Sequence, residues 1–168
     1  MGILEGMGLI LKKLNLEDIM SKRISCRAIV IADGGLVTMY REKEGRVYYT
    51  FPGGGRDEGE TNEACVKREA LEEFGITVEP LKHVYTYENE KTIQHFFVCK
   101  WVDGELGSGV GEEFQPDRNR GVYKPTLMPL EDITKLPLMP PEIVDVLSED
   151  LKKYGEDLGD EFKEIVVE

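Results

Sequence analysis

The segment that most constrains this chain runs from Gly54 to Ile76 and reads GGRDEGETNEACVKREALEEFGI. Thr61–Phe74 contains neither Gly nor Pro, and Gly75 follows it, the residue type that most readily takes the left-handed conformation closing a helix. A helix over Thr61–Phe74 is therefore expected, entered from the Gly-rich turn Pro52-Gly53-Gly54-Gly55. Spacings of three and four residues put Glu69, Glu72 and Glu73 on one face of that helix. Val66, Ala70, Leu71 and Phe74 fall on the other side and are expected to pack against a sheet. Each like-charged neighbour pair costs an isolated helix roughly 0.2–0.5 kcal/mol, which Arg68, four residues before Glu72, offsets in part. Carboxylates crowded beside a glycine turn are either a solvated acidic face or a site for a hard divalent cation. Oxygen ligands of this kind suit Mg²⁺ or Mn²⁺ rather than zinc.

Around this segment the pattern reads as strands. Asp33-Gly34-Gly35 is a turn signal joining Ile24–Ala32 to Leu36–Arg41 as a hairpin. Val47–Phe51, Ile76–Val78, Leu81–Tyr87, Thr92–Val102 and Val122–Leu130 read as further strands, with Ile93, His95, Phe97, Cys99 and Trp101 sharing one face. Pro141–Lys153 reads as a second helix with Pro in its first turn, and Phe162–Val167 as an edge strand or a tail. Gly104–Gly121, rich in Gly and acid, is expected to be a mobile loop. Strands, a helix, more strands and a helix give an α/β class fold, an α+β mixed sheet with helices on its faces. Residues 20–168 are taken as one domain. Residues 1–19 are taken as an extension, with Met20 as the expected natural start.

The chain carries 33 acidic and 21 basic residues, a formal charge of −12. That balance excludes a general nucleic-acid clamp, which needs a basic face, and it means that an anionic substrate must be recruited by a cation or a local arginine cluster. Cys26, Cys65 and Cys99 form no CxxC pair and no zinc spacing, so they are read as buried thiols of a reducing cytoplasm. No apolar run of roughly eighteen residues exists to span a membrane.

Taken whole, Gly54, Glu60, Arg68, Glu69, Glu72, Glu73 and Gly75 resemble the Nudix box: Gly, five residues, Glu, seven residues, Arg-Glu, an aliphatic residue, any residue, Glu-Glu, any residue, Gly and an aliphatic residue. Seven fixed positions at about 7% each give a chance match on the order of 10⁻⁸ per start site. The one departure is Ala70, small for the first aliphatic slot, which bears on packing more than on chemistry. The resemblance implies a Nudix-like α/β/α sandwich and Mg²⁺-dependent cleavage of a nucleoside diphosphate linked to a moiety X, with Mn²⁺ as a substitute. It implies that Glu69, Glu72 and Glu73 hold metal with help from the Gly53 carbonyl, that Glu60 is a weaker ligand, and that Arg68 orients the glutamates. Glu69, Arg68 and Glu72 are the catalytic set so implied. The general base is Glu69 or an acid of the Gly104–Gly121 loop, Glu112 or Glu113.

Arg27, Arg41 and Arg56 are candidates for the phosphates, beside the backbone of Gly54 and Gly55. His83 and His95 read as structural, because no carboxylate spacing supports them as ligands. Tyr85, Tyr87, Phe96 and Trp101 read as core aromatics that could also stack on a base. The extra signatures of the NADH, ADP-ribose, dinucleoside polyphosphate and coenzyme A branches are absent; Glu90-Lys91-Thr92, for example, lacks the proline of the ADP-ribose enzymes. Elimination leaves a small-molecule nucleotide, a nucleoside triphosphate or modified nucleotide, as the leading substrate. Nucleotide sugars and dinucleoside polyphosphates, or a non-catalytic regulatory nucleotide-binding module, are the alternatives. The intact glutamate set argues against the module, and the charge argues against a long nucleic acid. Family members are often homodimers, which leaves a homodimer open for this chain.

Overall fold

The computed structural model of the protein describes residues 21–109 and 121–168. The extension over residues 1–19 and the candidate bases Glu112 and Glu113 lie outside the described residues. Among the described residues, nine strands and two α-helices appear in the order β1 (Arg23–Ala32), β2 (Gly35–Lys43), β3 (Arg46–Thr50), β4 (Gly53–Gly55), α1 (Asn62–Phe74), β5 (Ile76–Glu88), β6 (Thr92–Gly104), β7 (Val122–Pro129), β8 (Leu138–Met139), α2 (Pro141–Tyr154) and β9 (Lys163–Val166). A single turn of 3₁₀ helix over Leu130–Asp132 follows β7.

The strands form one mixed sheet in the order β8-β3-β2-β1-β6-β5-β9, with β7 on β2 and β4 on β1. β1 is its hinge. It runs parallel to β6 from Arg23↔Thr92 to Val30↔Cys99. Its other edge pairs with β4 over Ser25–Arg27 and with β2 over Ile31–Ala32. The expected hairpin is thus present, but the two strands pair only beside the turn; β2 then leaves β1 and pairs with β3 from Met39 onward, while β7 runs along it from Gly35 to Glu42. The space opened between β1 and β2 is where β4 lies.

Alternation along β1 sends its side chains to opposite faces. Cys26, Ala28 and Val30 pack with Cys65, Val66, Ala70 and Phe74 of α1. Ile29 packs on the other side with Ile143, Val144 and Leu147 of α2, along with Phe51, Tyr85 and Phe96. A helix on each face makes the sandwich that the sequence implied. All three cysteines are buried and free, as read from their spacing.

Three local expectations change. The glycine run is not merely a turn: Gly53–Gly55 is a short strand paired with β1. Ile76–Val78 and Leu81–Tyr87 are one continuous strand, β5, whose pairing with β6 shifts register between Pro80 and Lys82. Such a bulge accommodates a proline that has no N–H to give to the ladder. Leu71 is 51% exposed rather than packed, because it lies about 100° round the helix from Ala70. The closing segment is a strand, with β9 parallel to β5 at the sheet edge.

Candidate active site

The local sequence sets α1 firmly against β4. The Thr61 hydroxyl caps the helix by accepting from the Ala64 N–H at 3.1 Å. Gly75 closes it in the left-handed conformation (φ 75°), donating its N–H to the Leu71 carbonyl at 3.0 Å. β4 must be glycine for reasons of contact. A side chain on Gly53 would meet the Cys26 carbonyl oxygen at 2.0 Å, and Gly53 has φ +142°. One on Gly54 would meet the Glu69 carboxylate oxygens at 2.8 Å. The bare backbone therefore lets the helix carboxylates approach: Glu69 sits on Gly54, and Glu73 Oε1 accepts the Gly53 N–H at 3.2 Å.

Arg68 organises the remaining acids. Its Nε and Nη2 donate to the two carboxylate oxygens of Glu60 at 2.8 and 3.0 Å, a forked pair. Nη1 donates to Glu69 at 3.0 Å and to Glu72 at 3.2 Å, and Nη2 also reaches the Gly55 carbonyl at 3.1 Å. One guanidinium thus links the helix, the preceding loop and β4. The Arg68 bonds, joined by the Asp57 N–H, hold the Glu60 carboxyl down at about 2, against burial that pushes it up. Arg68 is in turn raised above its ordinary value, chiefly by Glu60.

A cavity of about 280 Å³ opens beside these groups, lined by Glu69, Glu73, Gly53–Gly55, Arg23, Arg27, Arg41 and Tyr123 among others. Arg27 is pinned by bonds from Nη1 to the carbonyls of Phe51 (3.1 Å) and Gly53 (2.9 Å), and from Nε to Gln94 Oε1 (3.2 Å). Burial lowers its pKa, opposed by the neighbouring Glu73. Arg41 lies 4.4 Å over the Tyr123 ring and donates to the Tyr123 hydroxyl. Its buried Nε has no hydrogen-bond partner among the described residues.

Of the expected site residues, the fold brings Glu69, Glu73, Gly53, Gly54, Gly55, Arg27 and Arg41 to one cavity. Glu60 and Arg68 stand behind it as a bonded pair. Glu72 is turned to Arg68, its side chain 46% exposed. Arg56 is not among the lining residues; its backbone N–H still bonds the Ile24 carbonyl of β1 at 2.9 Å, and its guanidinium is held by Asn62 Oδ1 at the start of α1 at 2.6 Å. Arg23 takes a place that the sequence reading left empty, and alternation could have found it, since Arg23 and Arg27 are four apart on one strand and share a face. Tyr123 was also missed; it stands opposite Arg41 in the β2–β7 ladder. The His83 ring stacks on Phe97, and its Nε2 is within 3.0 Å of the Tyr85 carbonyl and near Thr86. His95 shares that Thr86 hydroxyl at 3.2 Å, so both histidines are structural. Tyr85 and Phe96 are fully buried core.

Among the described residues no three His, Cys, Asp or Glu side chains converge on a metal position. Among the described residues, the side-chain oxygens lining the cavity are the Glu69 and Glu73 carboxylates and the Thr50 and Tyr123 hydroxyls, with no imidazole or thiol. That set fits a hard cation such as Mg²⁺ or Mn²⁺.

The family model of the NUDIX domain matches residues 22–149. No curated protein matches the chain. Among solved structures, a NUDIX hydrolase from Nitrosomonas europaea superposes with TM-score 0.64 at 16% identity, covering 88% of this chain and 79% of that one. An ADP-ribose pyrophosphatase from Streptococcus suis 89-1591 gives 0.57 at 18%, covering 86% and 98%. A MutT protein from Methanosarcina mazei Go1 gives 0.54 at 20%, covering 79% and 94%. At such identities the likeness is one of fold.

Proposed function

Because the chain belongs to the NUDIX domain family of hydrolases, we propose that it hydrolyses a diphosphate bond in a nucleoside diphosphate linked to a further moiety, a nucleoside triphosphate or modified nucleotide being the leading substrate. The observation that carries this reading is that two carboxylates, Glu69 and Glu73, and three guanidiniums, Arg23, Arg27 and Arg41, line one cavity. Carboxylates alone would suit a cation and guanidiniums alone an anion; together they suit a phosphate chain that arrives with its cation.

Arg23, Arg27 and Arg41 bind the phosphate oxygens, which resolves the conflict between a net charge of −12 and an anionic substrate. Arg27, held by three bonds, is already oriented before the substrate enters. Glu69 and Glu73, which line the cavity, with Glu72 beside them on the Arg68 guanidinium, would hold a Mg²⁺ or Mn²⁺ ion, which would offset phosphate charge and acidify water. Glu69 takes the proton of the attacking water as its oxygen bonds to phosphorus, and the bridging P–O bond breaks with its electron pair leaving on the departing phosphate. Arg68 keeps Glu69 and Glu72 aimed through this step, and Glu60 keeps Arg68 aimed.

The test is phosphate and pyrophosphate release from nucleoside triphosphates, nucleotide sugars and dinucleoside polyphosphates, each with Mg²⁺ and with Mn²⁺. Cation-dependent turnover of the triphosphates above the other classes is expected. Saturable nucleotide binding without turnover of any class would contradict the proposal in favour of a regulatory module.

A further inference from the structure

A second cavity, of about 170 Å³, adjoins the first; Arg27 and Thr50 line both. Phe51, Tyr87, Asn89 and Gln94 complete much of its wall. The first cavity is lined mainly by charged groups and bare glycine backbone, whereas the wall of the second includes the apolar side chains of Met139 and Pro140 beside the largely buried rings of Phe51 and Tyr87. A planar ring system belongs in the second if phosphates occupy the first.

The hydrogen bonds around this second cavity fix which way its amides face. Arg27 Nε can only donate, so the Gln94 atom that it meets at 3.2 Å is the amide oxygen. Asn89 Oδ1 accepts from two backbone N–H groups, those of Lys91 and Thr92, both at 2.9 Å. The Asn89 oxygen is thereby filled and the Gln94 oxygen is turned to Arg27, and the amide ends that carry no hydrogen bond among the described residues are the two NH₂ groups. Arg27 adds only donors. Thr50 and Tyr87 carry hydroxyls that serve either way, and none of the described residues lining the cavity is a carboxylate.

From this polarity we infer that the second cavity takes the base of the substrate and selects a base presenting a ring carbonyl, a 6-oxopurine or 4-oxopyrimidine, over its amino counterpart, with Gln94 and Asn89 as the discriminating donors. The inference rests on the functional reading above, because it assigns the base end of that same substrate. An exocyclic amino group would put donor against donor and leave buried polar groups unpaired, the arrangement by which binding sites reject close analogues.

Two matched pairs test it without turnover: inosine against adenosine monophosphate, and uridine against cytidine monophosphate, by equilibrium calorimetry with the full chain. Binding tighter by roughly tenfold or more is expected for the oxo member of each pair. Gln94→Glu and Asn89→Asp keep the acceptor that Arg27 and the backbone need but replace each NH₂ with an acceptor, and the preference should shrink or invert in both. Equal affinity within the pairs, tighter binding of the amino members, or no saturable binding of any of the four overturns the inference, and the wild-type pairs decide it even if a variant fails to fold. Turnover of the corresponding triphosphates, run alongside, separates the two readings. Hydrolysis without base preference sinks the inference alone, whereas base preference without hydrolysis sinks the hydrolase reading and leaves the base site standing.

Discussion

The carboxylate of Glu69 occupies the space where a side chain on Gly54 would stand, its oxygens 2.8 Å from the position of that missing Cβ. Gly54 does not adopt a positive φ, so an alanine there meets no backbone strain, only the end of a flexible side chain. Gly54→Ala should therefore fold with a melting temperature near that of the wild type while displacing Glu69, and kcat/KM should fall on the order of 10²-fold. Gly53→Ala should behave differently. Its Cβ would meet backbone at 2.0 Å with φ +142°, and loss of soluble folded protein is the expected result. Thermal denaturation beside kinetics checks both.

Arg68→Lys keeps the charge but cannot fork to both oxygens of Glu60 while also reaching Glu69 and Glu72. Activity should fall roughly 10–100-fold, the range seen when a residue that orients metal ligands is lost. The half-saturating Mg²⁺ concentration should rise with it. A fall in kcat with an unchanged Mg²⁺ midpoint would show that Arg68 does not act through the cation site.

Stability should decline in mild acid because of His95. Burial chiefly, with the neighbouring His83 and Arg56, lowers its pKa from 6.5 to about 4. The unfolded chain then binds a proton that the folded chain refuses, so stability is full above about pH 6.5 and falls as pH drops toward 4. His83, also lowered by burial, adds to the same limb. His95→Gln should flatten this part of a urea-midpoint profile; an unaltered slope would show that other groups set it.

Outside the lining of the cavity, buried Asp150 accepts from the Tyr85 hydroxyl at 2.6 Å and pairs with Lys163 at 2.6 Å, tying α2 and β9 to β5. Tyr85→Phe leaves that carboxylate with one partner fewer and should cost about 1–3 kcal/mol of unfolding free energy. Its kcat should match the wild type. A drop in kcat at full folding would mean that this network reaches the site.

The helix and its closing Gly75 were legible because they rest on local chemistry, the absence of Gly and Pro before a glycine; Thr61, expected as the first helical residue, is instead its N-cap. The carboxylate face was legible for the same reason, since helical spacing is fixed. The cavity partners contributed by strands were not, because they depend on which strands meet. Arg23 and Tyr123 reach the cavity only through β1 leaving β2 and β2 pairing with β7. Arg56 is near the glycines in sequence, but its guanidinium is taken by Asn62 at the start of α1, a partner that only the folded chain brings to it. Leu138–Met139 is too short a strand for any period to register.

The most direct test of the central claim is turnover of a nucleoside triphosphate by chelator-treated protein as Mg²⁺ is restored, in the wild type and in Glu73→Gln. Glu73 faces the cavity and holds the Gly53 N–H, a bond that glutamine's carbonyl can still accept. Turnover should vanish on chelation, return with Mg²⁺ in the wild type, and stay at least about 10²-fold lower in the folded variant, the scale set by losing one group that stabilises transition-state charge. Turnover indifferent to chelation, or equal in the two proteins, would contradict a cation-dependent hydrolase built on these glutamates.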